Sequence, residues 1–259
     1  MRPTIEVITT FFNDSFLAPF FMSNYSYADR VRIIIDLASE DIEECEKAIR
    51  PYENSVIDYF KFHKEYDVQE REQMIFDYCN ASRADWLIVP DSDEFIFCDN
   101  VHEFLYIQKA DIVKVRFYQA FRNIKDQDLD PTKPPRGQRK YGDPDYVKGA
   151  NSHQTKPIVF RSGRRVHLMP GHHGVWNFHK FKVSDDILTG QHWQMADPAF
   201  CVARRLSRKK RLSSATLPKG YAYHDLTVTE EHILNECKAH LNDNLLPDFD
   251  SDRQILMGK

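Results

Sequence analysis

Four short apolar runs, separated by segments of helical character, occupy the first 90 residues of the chain. They are rich in β-branched and aromatic residues and read TIEVITTFF (4–12), VRIII (31–35), SVIDYFKF (55–62) and WLIVP (86–90). Continuously apolar strands are typical of a sheet covered on both faces, and their alternation with helices indicates βαβ units. The sequence therefore predicts an α/β fold with a mostly parallel central sheet flanked by helices, Rossmann-like in its first half.

The helices and the later elements are predicted from helix-start residues and from apolar periodicity. Helices are expected at 13–27, 39–49 (opened by Ser39), 67–82, 101–109, 197–211 and 229–243 (opened by a capping box from Thr227 to Glu230), and strands at 112–118, 157–160 and 186–193. The segment 122–155 is polar and rich in Pro and Gly, which predicts a mobile loop that becomes ordered over a ligand.

We expect one domain over residues 1–211 with a helical C-terminal extension, 212–259, packed on it. Within the domain, residues 1–121 form the predicted nucleotide-binding half, and 156–211 form a second part for the acceptor and a metal. The length of 259 residues is sufficient for one sizeable core.

Composition excludes several classes of protein. The formal net charge of −4 gives no reason to expect a nucleic-acid partner. The five cysteines are scattered and contain no Cys-x-x-Cys, which argues against a disulfide framework or a zinc knuckle and for a reducing compartment. The N-terminal residues lack a long apolar stretch, and no segment has the length of a membrane span. These features predict a soluble, cytoplasmic protein.

Three carboxylates follow the fourth apolar run in LIVPDSDEFIF (87–97). In an extended segment, Asp91 and Asp93 project to the same side, and they lie at the carboxyl end of a strand, where open α/β sheets bind ligands. Because the acids repel one another, we expect a cation, Mg²⁺ or Mn²⁺, to bridge them to a diphosphate. We also expect the metal-free protein to gain slight stability when Asp93 is replaced. The alternative is a solvated acidic turn that caps the next helix.

The segment ADWLIVPDSDEFI (84–96) resembles the signature of GT-A-type nucleotide-sugar glycosyltransferases, in particular a family-2-like group with an Asp-x-Asp-Glu-Phe motif. The resemblance covers residues 4–121 well and 156–211 more loosely, through TKPIVFR, PGHHG and QHWQM. It implies a GT-A-like fold and a nucleoside diphosphate sugar as the donor. The downstream acid–Asp and Arg-Trp motifs of many inverting relatives have no clear counterpart, so the resemblance assigns neither the base nor the stereochemical outcome.

The resemblance also implies roles for individual residues. It assigns donor binding to Thr9, Thr10, Asp36, Arg71, Gln73, Asp91 and Lys156. Thr9, Thr10 and Asp36 occupy positions that hold the nucleotide base and ribose, whereas Arg71 and Gln73 line the donor pocket. Asp91 is placed near the ribose and metal, and Asp93 is implied to be the direct, catalytically essential metal ligand. Lys156 is placed to pair with a diphosphate oxygen.

Histidines provide further candidates for the chemistry. His172 and His173 follow Pro-Gly in PGHHG, so they lie on a tight turn. Either imidazole could complete the metal site with Asp91 and Asp93, with His173 preferred, or could act as a general base; the alternative is an ordinary surface turn. His192 is a weaker candidate, because a strand histidine beside Trp193 more often serves packing.

The leading hypothesis is a metal-dependent glycosyltransferase that acts on a glycan or lipid-linked hydroxyl acceptor. The alternatives are a metal-dependent phosphoesterase or nucleotide-sugar hydrolase, and a non-catalytic sugar-nucleotide binding module. The basic segment RRLSRKKRL (204–212) suggests a peripheral contact with the inner face of a membrane, for which a solvated helix face is the competing explanation.

Overall fold

The computed structural model describes residues 2–63, 66–143, 155–211 and 229–239, which form a sheet with helices on both faces. The strands in these ranges are β1 (Ile5–Phe11), β2 (Arg30–Asp36), β3 (Ser55–Phe60), β4 (Trp86–Ile88), β5 (Glu94–Phe97), β6 (Ile112–Phe121), β7 (Tyr141–Asp143), β8 (Thr155–Arg161) and β9 (Val183–Met195). The helices are α1 (Ala18–Asn24), α2 (Ile42–Ile49), α3 (Val68–Ala81), α4 (Val101–Ile107), α5 (Pro198–Arg211) and α6 (Glu230–Ala239).

The sheet has the strand order β3-β2-β1-β4-β8-β6-β9-β5, with β7 paired to β6. The first four strands of the chain run parallel to one another, so that their carboxyl ends meet at one edge. We call the carboxyl edge of β1, β2 and β4 the donor edge, after the donor that the sequence resemblance implies. In the other half, β8 is antiparallel to both β4 and β6, and β9 is parallel to β6 but antiparallel to β5. The predicted α/β class with a parallel first half is confirmed, and the second half is mixed.

The core lies on both faces of the parallel half because alternate strand residues point to opposite sides. On one face, Ile33 and Ile35 pack in a cluster with side chains of α1 and α2. On the other face, Ile34 packs in a cluster with Met74 and Ile75 of α3. This double coverage explains why the strands are apolar without alternation.

Two strands were absent from the sequence-based prediction. β5 begins at Glu94, so the acids are followed by a strand and not directly by a helix. β7 lies inside the predicted loop 122–155, and the described part of that loop is anchored by Arg139, whose buried guanidinium donates through Nε to the carbonyl of Ala196 at 2.6 Å. Residues 144–154 of the loop lie outside the described ranges.

Several helix boundaries also differ from the prediction. The first helix begins at Ala18 and not at Asn13, and the second is preceded by Asp41 as its N-cap and not by Ser39. Thr229 caps α6 by accepting a hydrogen bond from the backbone N–H of His232 at 3.1 Å. The predicted cap Thr227 lies outside the described residues.

Helix α6 packs on α5 through a small apolar cluster that includes Cys201, Ile233 and Cys237. It is the described part of the predicted C-terminal extension, of which 212–228 and 240–259 lie outside the described residues. Across the described ranges, no helix combines the length and apolar character that crossing a bilayer requires.

Candidate active site

The carboxylates that follow β4 lie on a tight turn at the donor edge. We call residues 91–94 the acid turn; the backbone N–H of Glu94 donates to the carbonyl of Asp91 at 3.0 Å and closes it. The backbone N–H of Trp193 donates to the carbonyl of Asp93 at 2.7 Å, so β9 fixes the turn from the other half of the sheet. The segment is therefore not extended, and Asp91 and Asp93 contact different groups of cations.

Asp91 is held by two cations. Arg71 donates through Nη2 to its Oδ1 at 3.0 Å, and Lys156 donates through Nζ to its Oδ2 at 2.9 Å. Burial raises the pKa of Asp91, but Lys156, His172 and Arg71 together hold that pKa well below its ordinary value. Lys156 also pairs with buried Glu94, which balances its charge. The predicted residues Arg71, Asp91 and Lys156 therefore meet at one place.

Asp93 is held by Arg204 and His192. Its carboxylate pairs with the Arg204 guanidinium, and the Nε2 of His192 lies 3.2 Å from Asp93 Oδ2. Burial raises the pKa of Asp93, but Arg204 and then His192 outweigh burial and keep this pKa well below its ordinary value. These ion pairs argue against the expectation that a metal-free protein gains stability when Asp93 is replaced, because Asp93 has a buried cation beside it.

Arg204 is a site residue that the sequence analysis missed. Its side chain is 2% exposed and donates through Nε to Asp14 at 2.8 Å and through Nη2 to Ser92 at 2.9 Å, in addition to the pair with Asp93. The signal in the sequence is the basic run on α5, which by itself suggests a solvated or membrane-facing surface. Since Arg204 and Asp93 are 111 residues apart in the chain, their contact has no local signature.

The turn PGHHG directs only one of its histidines to the acids. His172 is fully buried, with Nε2 3.3 Å from Glu72 Oε2 and Nδ1 3.9 Å from Asp91 Oδ1. His173 is exposed. Gly171 and His172 have φ of 71° and 59°, and these left-handed conformations turn the His172 ring inward. The geometry therefore favours His172 as the histidine that lies beside the acids, whereas His173 was expected.

The remaining predicted donor residues are placed as follows. Thr10 accepts a hydrogen bond at its Oγ1 from Nε of Arg71 at 3.0 Å, and Thr9 is buried beside it on β1. Asp36, at the end of β2, pairs with the guanidinium of Arg211. Gln73 is exposed on α3 and donates to Asp77 on the same helix at 2.9 Å, so it is not brought to the acids.

The described residues contain no group of three or more His, Cys, Asp or Glu side chains arranged around a common metal position. They do contain a pair of suitable ligand atoms, Asp93 Oδ2 and His192 Nε2, 3.2 Å apart. Two ligands at right angles on Mg²⁺ or Mn²⁺ are separated by about 3 Å. Within the described part of the chain, the buried Nδ1 of His192 has no hydrogen-bond partner that would fix the ring's tautomer. Asp93 Oδ2 also accepts a hydrogen bond from Nη1 of Arg204, so a divalent cation bound by this pair would share the carboxylate with the guanidinium. Both oxygens of Asp91 are likewise engaged, and His173 is exposed.

Comparisons with known proteins give distant structural likenesses only. No protein-family model matches the chain, and no curated protein matches it. The chain is similar to the crystal structure of S. aureus TarS 1–349 in complex with UDP, with 10% identity over 92% of this chain and 71% of that chain and a TM-score of 0.45. The chain is also similar to a second S. aureus TarS structure, of which it covers 42% of the length, with a TM-score of 0.43.

A further similar structure is glucosyl-3-phosphoglycerate synthase from Mycobacterium tuberculosis in complex with Mn²⁺, UDP and phosphoglyceric acid. It shares 13% identity over 45% of this chain and 43% of that chain, with a TM-score of 0.31. Because these TM-scores lie below 0.5, the chemistry of the site has to be inferred from the contacts of this chain's own residues.

Proposed function

We propose that this chain is a glycosyltransferase that moves a sugar from a nucleoside diphosphate sugar to a hydroxyl acceptor in glycan or polysaccharide biosynthesis. The observation that carries the proposal is the acid turn at the donor edge, where Asp91 and Asp93 are each paired with buried or half-buried cations. Open α/β sheets bind ligands at this edge. The resemblance of the DSDEF segment to glycosyltransferase motifs supports the same assignment.

The donor would lie along the donor edge from Asp36 to the acid turn. Asp36 and Thr10 lie at the ends of β2 and β1 and would contact the nucleoside. Arg71 and Lys156 would supply positive charge to the diphosphate, which becomes a leaving group as the sugar departs. Cations fixed in a partly desolvated site stabilise such developing charge without reorganisation.

Asp93 and His192 would hold a Mn²⁺ or Mg²⁺ ion, because their ligand atoms are already adjacent. When bound, this ion supplies Lewis-acid stabilisation to the diphosphate. The imidazole nitrogen of His192 favours Mn²⁺ over Mg²⁺, because nitrogen ligands suit the softer ion. Arg204, which donates to the same oxygen of Asp93 that faces His192, would balance the charge of Asp93 and fix the carboxylate's position.

His172 would position Asp91 and Glu72, because its ring is fully buried between them. We propose a glycan or lipid-linked acceptor. A membrane contact through 204–212 is not part of the proposal, because Arg204, Arg205 and Arg211 pair with Asp93, Glu236 and Asp36 within the protein.

The function is tested by incubating purified protein with Mn²⁺ and a panel of nucleoside diphosphate sugars, and measuring release of the nucleoside diphosphate with and without hydroxyl acceptors. We expect release from one donor, reduced at least about 100-fold in Asp93→Asn, because removal of one electrostatic group at a reacting centre typically has this effect. Asp77→Asn is the matched control, since Asp77 is an exposed acid on α3 that contacts Gln73.

Three outcomes would contradict the proposal. Phosphate release from simple phosphoesters would favour the phosphoesterase alternative. Acceptor-independent hydrolysis alone would favour a nucleotide-sugar hydrolase. Nucleotide-sugar binding without turnover on any acceptor would favour a binding module.

A further inference from the structure

One face of α5 lies across the donor edge. Arg204, Ser207 and Arg211 recur at intervals of three and four residues, so their side chains share this face. Arg204 pairs with Asp93, Ser207 Oγ accepts a hydrogen bond from Asn13 Nδ2 at 2.7 Å, and Arg211 pairs with Asp36. The helix thus contacts, in turn, the acid turn after β4, Asn13 after β1 and Asp36 at the end of β2.

Arg211 occupies an aromatic recess at the end of this contact. The centre of its guanidinium lies 3.8 Å from the ring centroid of Phe12, 4.2 Å from that of Tyr66 and 5.2 Å from that of Phe62. Asp36, which is 6% exposed, closes the recess with its carboxylate. A planar cation is therefore held between aromatic faces and beside a buried acid.

We propose that Arg211 is an internal competitor of the nucleoside, and that the end of α5 is an autoinhibitory latch which donor binding must displace. The inference rests on the proposed function, in which Asp36 contacts the nucleoside. A nucleobase is planar and stacks on aromatic rings as the guanidinium does, and a ribose hydroxyl donates to a carboxylate as the guanidinium does. The nucleoside and the Arg211 guanidinium need the same aromatic rings and the same carboxylate, so they exclude one another.

The latch has a measurable consequence for affinity. When a protein must leave a closed state before it binds, its apparent affinity is reduced by the fraction of molecules that are open. Removing the Arg211 side chain abolishes the closed state without removing Phe12, Tyr66 or Asp36. The variant therefore binds the nucleotide more tightly than the wild type, which is the opposite of what loss of a donor ligand produces.

The test is calorimetric titration of wild type, Arg211→Ala and Lys210→Ala with UDP, GDP, ADP, CDP and dTDP in the presence of Mn²⁺. Lys210 is exposed, and its replacement removes the same charge from the same turn of α5, so this variant controls for long-range electrostatics. We expect the nucleotide that binds to do so about tenfold more tightly in Arg211→Ala. Lys210→Ala should match the wild type.

Weaker or equal binding in Arg211→Ala would overturn the latch and leave the proposed function standing, because Arg211 would then be a donor ligand or a bystander. Absence of binding for every nucleotide and every variant would overturn the latch and the proposed function together. Hydrogen exchange gives an independent readout in the wild type. Nucleotide should accelerate exchange of the amides at 205–211, and increased protection there would overturn the latch.

Discussion

At the scale of single residues, charge balance at the acid turn determines how substitutions there affect stability. Asp91 is half-buried and Asp93 is buried, and both are matched by cations: Arg71 of the preceding helix α3, and Lys156 of β8 and Arg204 of α5, which are distant in the chain. A buried ion pair contributes little compared with an apolar pair, but removing one partner is costly because the other charge is left unpaired. We therefore expect substitutions at this turn to lower stability and, under the proposed function, to lower activity as well.

This balance predicts a pH-dependent effect of Asp93→Asn. The pKa of Asp93 is raised by burial but lowered more by Arg204 and His192, so its net shift is downward. A carboxylate of this kind contributes stability above its unfolded pKa of about 3.9, and the contribution is lost as the pH falls through the folded-state value. We expect Asp93→Asn to be less stable than wild type at neutral pH, with the two free energies of unfolding converging in acid.

Urea denaturation at a series of pH values from neutral to strongly acidic measures the free energies of unfolding of Asp93→Asn and wild type. Asp77→Asn serves as the control and should follow the wild-type curve, since this exposed acid accepts its hydrogen bond from Gln73 of its own helix. A constant difference between Asp93→Asn and wild type at every pH would show that Asp93 does not carry its charge in the folded protein.

At the scale of elements, β9 links the acid turn to the second half of the sheet. It pairs with β5 at Glu94 and with β6 along much of its length. Gly190 is paired with Ile96 of β5 and Phe117 of β6, and a Cβ there would overlap the backbone oxygen of Phe95 and lie 2.8 Å from a ring carbon of Phe117. The position requires glycine for space.

Gly190→Ala should therefore destabilise the protein by about 3 kcal/mol, the upper end of the range for overpacking, because neither the β5 backbone nor the buried ring can move easily. Gly163→Ala is a useful comparison, since Gly163 has φ of 75° but a Cβ added to it would meet no atom of the described residues within 4 Å. Its cost should be about 1 kcal/mol, from backbone conformation alone. Urea denaturation of both variants tests this prediction. Equal losses in the free energy of unfolding would mean that β9 relaxes to admit the methyl group.

The elements also show what could be predicted from the sequence. Strands β1 to β4 are predictable because their apolar residues are contiguous and their helices are local. β5 and β7 were missed because they are short and stabilised by pairing with distant strands. In the site, Asp91, Lys156 and Arg71 could be placed by motif and position, whereas the guanidinium of Arg204 reaches Asp93 only through tertiary packing of α5. The choice of His172 over His173 depends on two left-handed residues, which the letters PGHHG do not specify.

At the scale of the whole molecule, ligand binding should be visible as stabilisation, because a ligand that binds only the folded state raises its stability by mass action. We expect Mn²⁺ together with the matching nucleoside diphosphate to raise the Tm more than either does alone. His192→Ala should abolish the Mn²⁺-dependent increment, because Asp93 would lose the adjacent ligand. His173→Ala, on the exposed side of its turn, should retain it.

Thermal unfolding of wild type, His192→Ala and His173→Ala, with Mn²⁺, with the nucleoside diphosphate and with both, distinguishes the possible binding sites of the ion. If His173→Ala loses the increment and His192→Ala keeps it, the cation is bound from the turn after β8 and not from β9. If neither variant loses it, the ion binds to the nucleotide alone.

The strand order has a kinetic consequence for how the chain reaches its native state. β4 ends at residue 88, just before the acid turn, whereas its neighbour β8 begins only at residue 155. Arg204, whose guanidinium pairs with Asp93, follows later still. Pairings between distant segments form slowly because the intervening chain must first be closed into a loop. During synthesis, the first three strands can associate before Lys156 and Arg204, the later cationic partners of the acid turn, have been added to the chain. The donor edge is therefore completed late, by the same segments that join the two halves of the sheet.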